Sequence, residues 1–102
     1  MLVVLTTTTT LQEAESLAEK LVTEKLAACV QVLPQMRSFY FWQGEVQKEN
    51  ECLLLIKTVS EKYEALETFI LNNHSYSVPE IVALDAERAF GGYVDWLKGY
   101  LT

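Results

Sequence analysis

The chain alternates between short runs of consecutive apolar residues and longer stretches in which apolar residues recur every three or four positions. The runs at residues 2–5, 27–33 and 52–57 are typical of strands buried in a sheet. From residue 11 the apolar residues recur with a helical period. They form one stripe of a predicted helix: Leu11, Ala14, Leu17, Ala18, Leu21 and Val22. This alternation restricts the chain to folds in which helices and strands share one core.

Capping residues mark where the helices begin. Thr10 and Glu13 have the spacing of a capping box, so the threonine run at 6–10 is predicted to end one strand and start the first helix. Ser60 is predicted to cap a second helix that ends near residues 72–74. The predicted inner stripes are Tyr63, Leu66, Phe69 and Ile70 in the second helix and, after Gly91 and Gly92, Tyr93, Trp96, Leu97, Tyr100 and Leu101 in a third.

The strands are bounded by turn residues and prolines. Pro34 interrupts the run at 27–33, and residues 37–42 then resume a strand rich in aromatic side chains. Gly44 predicts a hairpin turn, after which the polar stretch 47–51 leads into the strand at 52–57. The last strand is predicted over 78–86, with Pro79 at its start.

The resulting order is β-α-β-β-α-β-α, in a single domain over residues 1–102. This is the split β-α-β pattern. The sequence therefore predicts an α+β, ferredoxin-like fold: an antiparallel sheet with two helices on one face, plus a short C-terminal helix.

The charge balance argues against several classes of partner. The formal net charge is −6 and no Lys/Arg cluster occurs, so binding to a nucleic-acid backbone is not expected. No apolar run approaches the ~20 residues that a membrane span needs. The start of the chain has neither a basic region nor a small-residue cleavage pattern, so a cytoplasmic location is expected.

The hairpin is predicted to be too long for the body that carries it. Residues 27–42, taken as one strand, would span roughly 50 Å at ~3.3 Å per residue. A compact domain of this length is only about 34 Å across. The projecting part would carry Phe39 and Phe41 on one face and Tyr40 and Trp42 on the other, and we expect further copies of the chain to cover it. An ordinary hairpin folded back on its own domain is the alternative.

Five segments together resemble the CutA divalent-cation tolerance proteins. They are LAACV at 26–30, SxYxWxGEV at 38–46, ExLLLIKT at 51–58, HxYxVPEI at 74–81 and YxDWL at 93–97. The resemblance implies a ferredoxin-like homotrimer with interlocking hairpins, akin in architecture to the PII signalling proteins. It also implies an association with tolerance of divalent cations, notably copper.

His74 and Cys29 are the candidate metal ligands. His74 is the only histidine, and Cys29 is a soft ligand that could join it; Cys29 and Cys52 are otherwise expected to be reduced core thiols. Without a C-x-x-C pair, a thiolate zinc site of that kind is excluded. The resemblance implies that relatives credited with copper binding use a cysteine at the end of the first strand and two adjacent histidines before the tyrosine. The corresponding positions here are Thr6, Asn73 and His74, so only His74 is kept as a ligand.

A second candidate site is an intersubunit cleft formed by Tyr40, Trp42, Lys57, Tyr76 and Glu80. A cationic and an anionic side chain beside aromatic rings could bind a small polar ligand or pair across an interface. Enzymatic activity is not expected, because the chain has a single histidine and no Gly-rich phosphate-binding loop. Three hypotheses follow: a non-enzymatic homotrimer that binds divalent metal weakly or serves signalling or assembly, a PII-like trimer binding a metabolite, and a cryptic small-molecule hydrolase.

Overall fold

The computed structural model describes residues 1–102 and contains a four-stranded antiparallel sheet in the order β2-β3-β1-β4. The strands are β1 Leu2–Thr8, β2 Cys29–Trp42, β3 Glu45–Thr58 and β4 Val82–Asp85. The helices are α1 Leu11–Thr23, α2 Tyr63–Asn73 and α3 Gly91–Leu101. The strand order and the helix placement confirm the ferredoxin-like α+β prediction. None of the helices combines the length and the apolar character needed to cross a membrane.

Both main helices pack on one face of the sheet, as predicted. Even-numbered residues of β1 and β3 are cross-strand partners, such as Val4 with Ile56, and therefore point to the same face. The core cluster on that face is Val4, Ala14, Leu17, Leu21, Ala27, Cys52, Leu54, Ile56, Leu66 and Ile70. The opposite face, called here the open face, carries Val3, Leu5, Leu33, Leu53, Leu55, Val82 and Leu84, all of them half-buried or exposed.

The predicted capping box is formed only in part. Thr10 adopts an extended conformation, and its hydroxyl accepts a 3.1 Å hydrogen bond from the Glu13 backbone N–H. The Glu13 carboxylate does not return to Thr10 but accepts hydrogen bonds from the Ser75 backbone N–H and hydroxyl, at 3.0 and 3.1 Å. The start of α1 is thus tied to the segment that follows α2.

The predicted Ser60 cap is wrong. Residues Ser60–Lys62 form a 3₁₀ turn that precedes α2, and the extended residue before it is Val59, which has no capping side chain. The turn satisfies its own backbone through the Lys62 N–H and the Val59 carbonyl, at 3.0 Å. A tightened first turn therefore replaces a side-chain cap.

β2 and β3 are each 14 residues long and extend over much of the molecule, whose longest dimension is 44 Å. β1 pairs with β3 only as far as Cys52, so residues 36–42 and 45–51 form a two-stranded ribbon, called here the hairpin arm. Gln43 and Gly44 close it with φ of 51° and 85°. Positive φ at both positions is the signature of a type I′ turn, which matches the twist of a hairpin.

A β-bulge at Pro34 exchanges the faces of β2. Leu33 pairs with Leu53 but Met36 pairs with Glu51, so β2 contains one more residue than β3 at this point. The Pro34 carbonyl accepts a 3.3 Å hydrogen bond from the Cys52 thiol. Beyond the bulge, even-numbered residues of β2 lie on the same side as the open face. The predicted interruption at Pro34 is therefore a one-residue insertion within a continuous strand.

The last strand is shorter than the predicted 78–86. β4 covers only Val82–Asp85, and its pairing with β1 ends at Leu5 and Val82. Residues 75–81 leave the sheet edge and run beside the base of the arm instead. The third helix begins at Gly91, inside the predicted break, and packs Leu97 and Leu101 against Ala28.

Candidate functional site

A cleft of about 730 Å³ lies between the arm, the end of β1 and the segment that precedes β4. Aromatic and apolar side chains form most of its wall, together with serines and two carboxylates. The lining residues are Thr7, Met36, Ser38, Phe39, Tyr40, Trp42, Glu51, Leu53, Ser75, Tyr76, Ser77, Val78 and Glu80. A concave site with a few convergent polar groups is the usual form of a small-molecule pocket.

The bulge explains why the aromatic residues of β2 face this cleft. Tyr40 pairs with Gln47 and Trp42 with Glu45, so both rings share a face with Glu51 and Leu53 of β3. Without the extra residue at Pro34 the alternation of β2 would place both rings on the helix side. Phe39 and Phe41 alternate to the other face of the arm, as predicted, although Phe39 also contributes to the lining of the cleft.

Glu51 and Tyr76 form the polar centre of the cleft. Glu51 is only 6% exposed, and its Oε2 accepts a 2.7 Å hydrogen bond from the Tyr76 hydroxyl. The Tyr76 oxygen in turn accepts a 3.2 Å hydrogen bond from the Thr9 hydroxyl. This chain of donors fixes the direction of the Tyr76 hydroxyl toward Glu51.

The environment of Tyr76 favours its protonated form. Burial raises its pKa to about 12; the hydrogen bond from Thr9 lowers the pKa, whereas the hydrogen bond and charge of Glu51 raise it. A phenol with this pKa keeps its proton at neutral pH. Tyr76 therefore acts as a permanent hydrogen-bond donor to Glu51.

His74 holds the segment that forms one wall of the cleft. Its Nδ1 accepts a 3.0 Å hydrogen bond from the Tyr76 backbone N–H, and its Nε2 donates to the Thr7 carbonyl at 2.6 Å. Only the neutral imidazole with its proton on Nε2 satisfies both partners. The side chain is fully buried, with Glu13 Oε2 4.0 Å from Nδ1. His74 thus links α2, β1 and the cleft wall.

The two predicted metal ligands do not meet in one chain. Both nitrogens of His74 are already hydrogen-bonded, so neither has a lone pair free for a metal. Cys29 pairs with Lys57, four residues along β3 from the Leu53 partner of Thr7, or about 13 Å along the strand. No group of three or more His, Cys, Asp and Glu side chains is arranged to hold a metal ion. A copper site built from His74 and Cys29 of a single chain does not fit this geometry.

The cysteines differ from each other. Both are free thiols; Cys52 lies in the core as predicted, whereas Cys29 is half-buried on the open face. Cys29 is therefore not the core residue that its apolar neighbours suggested.

Four of the five residues predicted for the cleft line it together: Tyr40, Trp42, Tyr76 and Glu80. Lys57 lies outside it, toward the other end of β3. Its Nζ donates a 2.7 Å hydrogen bond to Gln31 Oε1 and lies 5.9 Å from the centre of the Tyr93 ring. The cleft of one chain therefore contains carboxylates but no cation.

Glu51 is the main site residue that the sequence reasoning missed. It had been placed at the polar edge of a strand, and its burial depends on Tyr76, which is distant in sequence. The available signal was its alternation with Leu53 and Leu55, which puts all three on one face. Met36, Ser38 and Thr7 were missed because their exposure to the cleft depends on the bulge and on the short β4.

The fold and this site together define a small α+β protein in which a ferredoxin-like sheet extends into a long hairpin beside an aromatic and acidic cleft. The family model described as CutA1 divalent ion tolerance protein matches residues 2–99. The chain therefore belongs to the CutA1 family, and the resemblance inferred from its five segments is confirmed.

Relatives and solved structures agree with this assignment. The Thermus thermophilus divalent-cation tolerance protein CutA is 44% identical over 96 residues, covering 94% of this chain and 93% of the relative. The solved structure of Cut A1 from Thermus thermophilus has a TM-score of 0.92 and covers 95% of each chain. The structure of the periplasmic divalent cation tolerance protein CutA from Archaeoglobus fulgidus is 33% identical, has a TM-score of 0.96 and covers 100% of both chains.

The compartments of these relatives differ. The Arabidopsis thaliana relative is named Protein CutA, chloroplastic; it is 41% identical over 97 residues, which are 95% of this chain and 53% of the relative. The Archaeoglobus protein is described as periplasmic. The cytoplasmic location of this chain stays a prediction.

Proposed function

We propose that this chain is a non-enzymatic protein of divalent-cation tolerance that works as a homotrimer. The family supplies the link to divalent cations. The observation that supports assembly is the uncovered apolar surface of the arm, where Phe41 is 71% exposed and Phe39 63%; the number of three copies is proposed from the resemblance to the CutA family. A two-stranded ribbon with apolar side chains on both faces is marginal in water, and closed cyclic symmetry covers every copy of it.

The open face of the sheet supports the same assembly. Leu33, Val82 and Leu84 are exposed there, on the same side of the sheet as Tyr40 and Trp42 of the arm. Exposed apolar patches of this kind mark protein–protein contacts. Sister chains that covered both the open face and the arm would bury the largest uncovered apolar surfaces of the molecule.

Replacing Trp42 tests the assembly. Light scattering is expected to give about 35 kDa for the native protein, three times the 11.6 kDa chain. Trp42→Ala should lower the measured mass, because large aromatic side chains at the centre of an interface contribute most to its stability. Trp96→Ala, which removes an exposed tryptophan from α3, is the matched control. If both variants kept the native mass, the arm would not be part of the interface.

We propose a role in copper tolerance, exerted either through weak metal binding or through a signalling or assembly function. Calorimetric titration of Cu²⁺ into native protein and His74→Ala tests whether His74 is a ligand. The two hydrogen bonds of its ring nitrogens support equal binding by both proteins. A loss of binding in His74→Ala, with native mass and helicity retained, would make His74 a ligand.

A small ligand in the cleft is the second candidate function, favoured by a 730 Å³ concavity with a buried carboxylate at its centre. Hydrolysis has less support, since the only histidine has no free nitrogen to act as a base. A thermal-shift screen of small metabolites tests the cleft, because a ligand that prefers the native state raises the melting temperature. No stabilisation by any compound would count against it.

A further inference from the structure

We infer that Lys57 of one copy of this chain enters the cleft of a neighbouring copy and forms an ion pair there with Glu51. This inference rests on the homotrimer proposed above and deepens it, because it names a contact that joins the copies. The cleft of a single chain is then half of a site, and the neighbouring copy supplies the cation that completes it.

Carboxylates without a cation occupy one end of the open face. Glu51 and Glu80 line the cleft, and none of the lining residues is a lysine or an arginine. Oε2 of Glu51 accepts the 2.7 Å hydrogen bond from the Tyr76 hydroxyl, whereas Oε1 has no hydrogen bond within the chain. Oε1 is not sealed in, since the only buried and unpaired side-chain polar atom is the Thr6 hydroxyl oxygen. A group that enters the cleft can therefore reach Oε1.

A cation without a carboxylate occupies the other end of the same face. Lys57 and Glu51 are both odd-numbered residues of β3 and share a face, but about 20 Å of strand separates them, so they cannot meet within one chain. The Lys57 Nζ donates a 2.7 Å hydrogen bond to Gln31 and lies 5.9 Å from the centre of the Tyr93 ring. Lys57 takes no part in the single ion pair of the chain.

Lys57 is the only strand cation that faces the right way. The four strands contain three cationic residues, Arg37, Lys48 and Lys57. Arg37 lies beyond the bulge on the other face of the arm, where it donates a 3.0 Å hydrogen bond to Asn50. Lys48 alternates onto that other face as well. The open face therefore has its one strand cation at the end opposite to the cleft.

Assembly makes this separation of charge costly unless the two ends meet. Between the ends the open face is apolar, with Leu33, Leu53 and Leu55 half-buried or exposed. Copies that cover these side chains also remove water from the charged groups beside them. A charge removed from water needs an opposite charge or hydrogen bonds, so Glu51 and Lys57 each need a partner. In a closed cyclic assembly every copy offers one acidic end and one basic end, and every pair can form.

The cleft suits a lysine ammonium group. An –NH₃⁺ group has three donors, so Lys57 can keep its hydrogen bond to Gln31 and still donate to Oε1 of Glu51. Tyr40 and Trp42 border the cleft, and aromatic faces attract cations most strongly where water is excluded. The methylene groups of the lysine side chain can pack against the same rings.

Zero-length cross-linking of the native protein tests the contact. A carbodiimide joins the Lys57 amine to the Glu51 carboxylate as an amide, and it takes up the water that is lost to become a urea. Because about 20 Å of strand separates the two residues within a chain, a link between them must join two copies. We expect covalent dimers and trimers in a denaturing gel, and a peptide linked between Lys57 and Glu51 by mass spectrometry. In assemblies of ¹⁵N-labelled and unlabelled chains, this peptide should contain both isotopes.

Lys57→Arg is the matched control for the cross-link. Arginine keeps the positive charge but has no amine that the carbodiimide can couple, so this variant should keep a mass of about 35 kDa and lose the linked peptide. Lys48, on the other face of the same strand, should form no link to Glu51 in either protein.

A double-mutant cycle measures the same pair through its effect on assembly. Light scattering compares Glu51→Gln, Lys57→Gln and the double variant in the urea concentration at which half of the native protein has dissociated. Each single change should weaken the association of chains by at least about tenfold, because each leaves one charge without its partner in the interface. The double variant should be no weaker than the single variants. Lys48→Gln, the control, should stay within about twofold of the native protein, since exposed charges contribute little.

Three results would overturn the inference. They are losses that add up in the double variant, association of Lys57→Gln equal to that of the native protein, and a linked peptide that joins Lys57 to a carboxylate away from the cleft. The trimer and the pair fail separately. A native mass of about 35 kDa with additive losses removes the pair and leaves the trimer intact, whereas a native mass of 11.6 kDa at every concentration removes both.

Discussion

The body of the molecule and its hairpin arm belong to the same sheet but cover their apolar side chains in opposite ways. In the body, Leu54, Leu66 and Ile70 have no exposed surface, because two helices pack over the strands. In the arm, Phe39 and Phe41 are mostly exposed, because β2 and β3 have no third layer beside them. The body is stabilised by its own chain, whereas the arm depends on contacts from outside.

This difference separates two kinds of stability. Substitutions in the body should change the free energy of unfolding whatever the assembly does. Substitutions on the arm aromatics should act mainly through association and therefore depend on protein concentration. The predictions below use this separation, in order of decreasing effect.

The largest effect is expected for Leu66→Ala in α2. Removing a fully buried leucine side chain costs its transfer free energy and leaves a cavity, together about 2–5 kcal/mol. Leu71→Ala, in the same helix but half exposed, should cost less than about 1 kcal/mol. Urea denaturation followed by circular dichroism measures both. Equal costs at the two positions would contradict the core described for the body.

Gly44→Ala tests the turn that closes the arm. Gly44 has φ of 85°, where an L-residue is strained, so alanine should cost about 1–2 kcal/mol. A Cβ added at Gly44 or at Gly99 meets nothing within 4 Å, so backbone conformation alone distinguishes the two sites. Gly99→Ala, inside α3, should stabilise by up to about 1 kcal/mol. Denaturation midpoints moving in the same direction would refute the type I′ turn.

Thr6→Val is expected to be neutral or to stabilise the body by about 1 kcal/mol. Thr6 is fully buried and its hydroxyl has no hydrogen-bond partner, so valine removes an unsatisfied polar group. Thr58→Val is the matched control, since the equally buried Thr58 hydroxyl donates to the Leu26 carbonyl at 2.7 Å. That variant should lose about 1 kcal/mol. Equal losses in thermal denaturation would show that the Thr6 hydroxyl is satisfied.

Tyr76→Phe should change how the free energy of unfolding depends on pH in the alkaline range. The folded-state pKa of Tyr76, about 12, lies above the value of about 10 in an unfolded chain. Its contribution is therefore fully present below pH about 10 and is lost as the pH rises toward 12. The native protein should lose stability more steeply over that range than Tyr76→Phe. Parallel pH profiles would contradict the buried contact with Glu51.

The sequence specified the order of the elements, the hairpin turn and most of the core faces of the helices, because these follow from local periodicity and turn chemistry. The predicted stripes were wrong at Leu11 and Trp96, which are exposed. It did not specify the placement of residues 75–81. Their departure from the sheet depends on contacts between residues distant in sequence: the Glu13 carboxylate accepts a hydrogen bond from the Ser75 backbone N–H, and His74 donates one to the Thr7 carbonyl. The predicted strand 78–86 was too long for this reason.

The candidate site shows the same division. The predicted cleft residues come from two motif-rich regions of the sequence, which form opposite sides of the cleft. Four of these residues line the cleft together: Tyr40, Trp42, Tyr76 and Glu80. Lys57 lies outside the cleft of one chain, because the strand register places it toward the other end of β3, and its place in an intersubunit cleft stays a prediction. The single extra residue at Pro34 determines which side chains of the arm face the cleft. A proline in the sequence does not by itself predict a β-bulge.

Equilibrium sedimentation of the native protein across a dilution series, from micromolar to nanomolar chain concentrations, tests the central claim most directly. The account predicts a mass of about 35 kDa, with a fall to smaller species only where the fold of the arm is also lost. A stable 11.6 kDa species with native circular dichroism and a shielded Trp42 at every concentration would contradict it, because the arm would then need no sister chain.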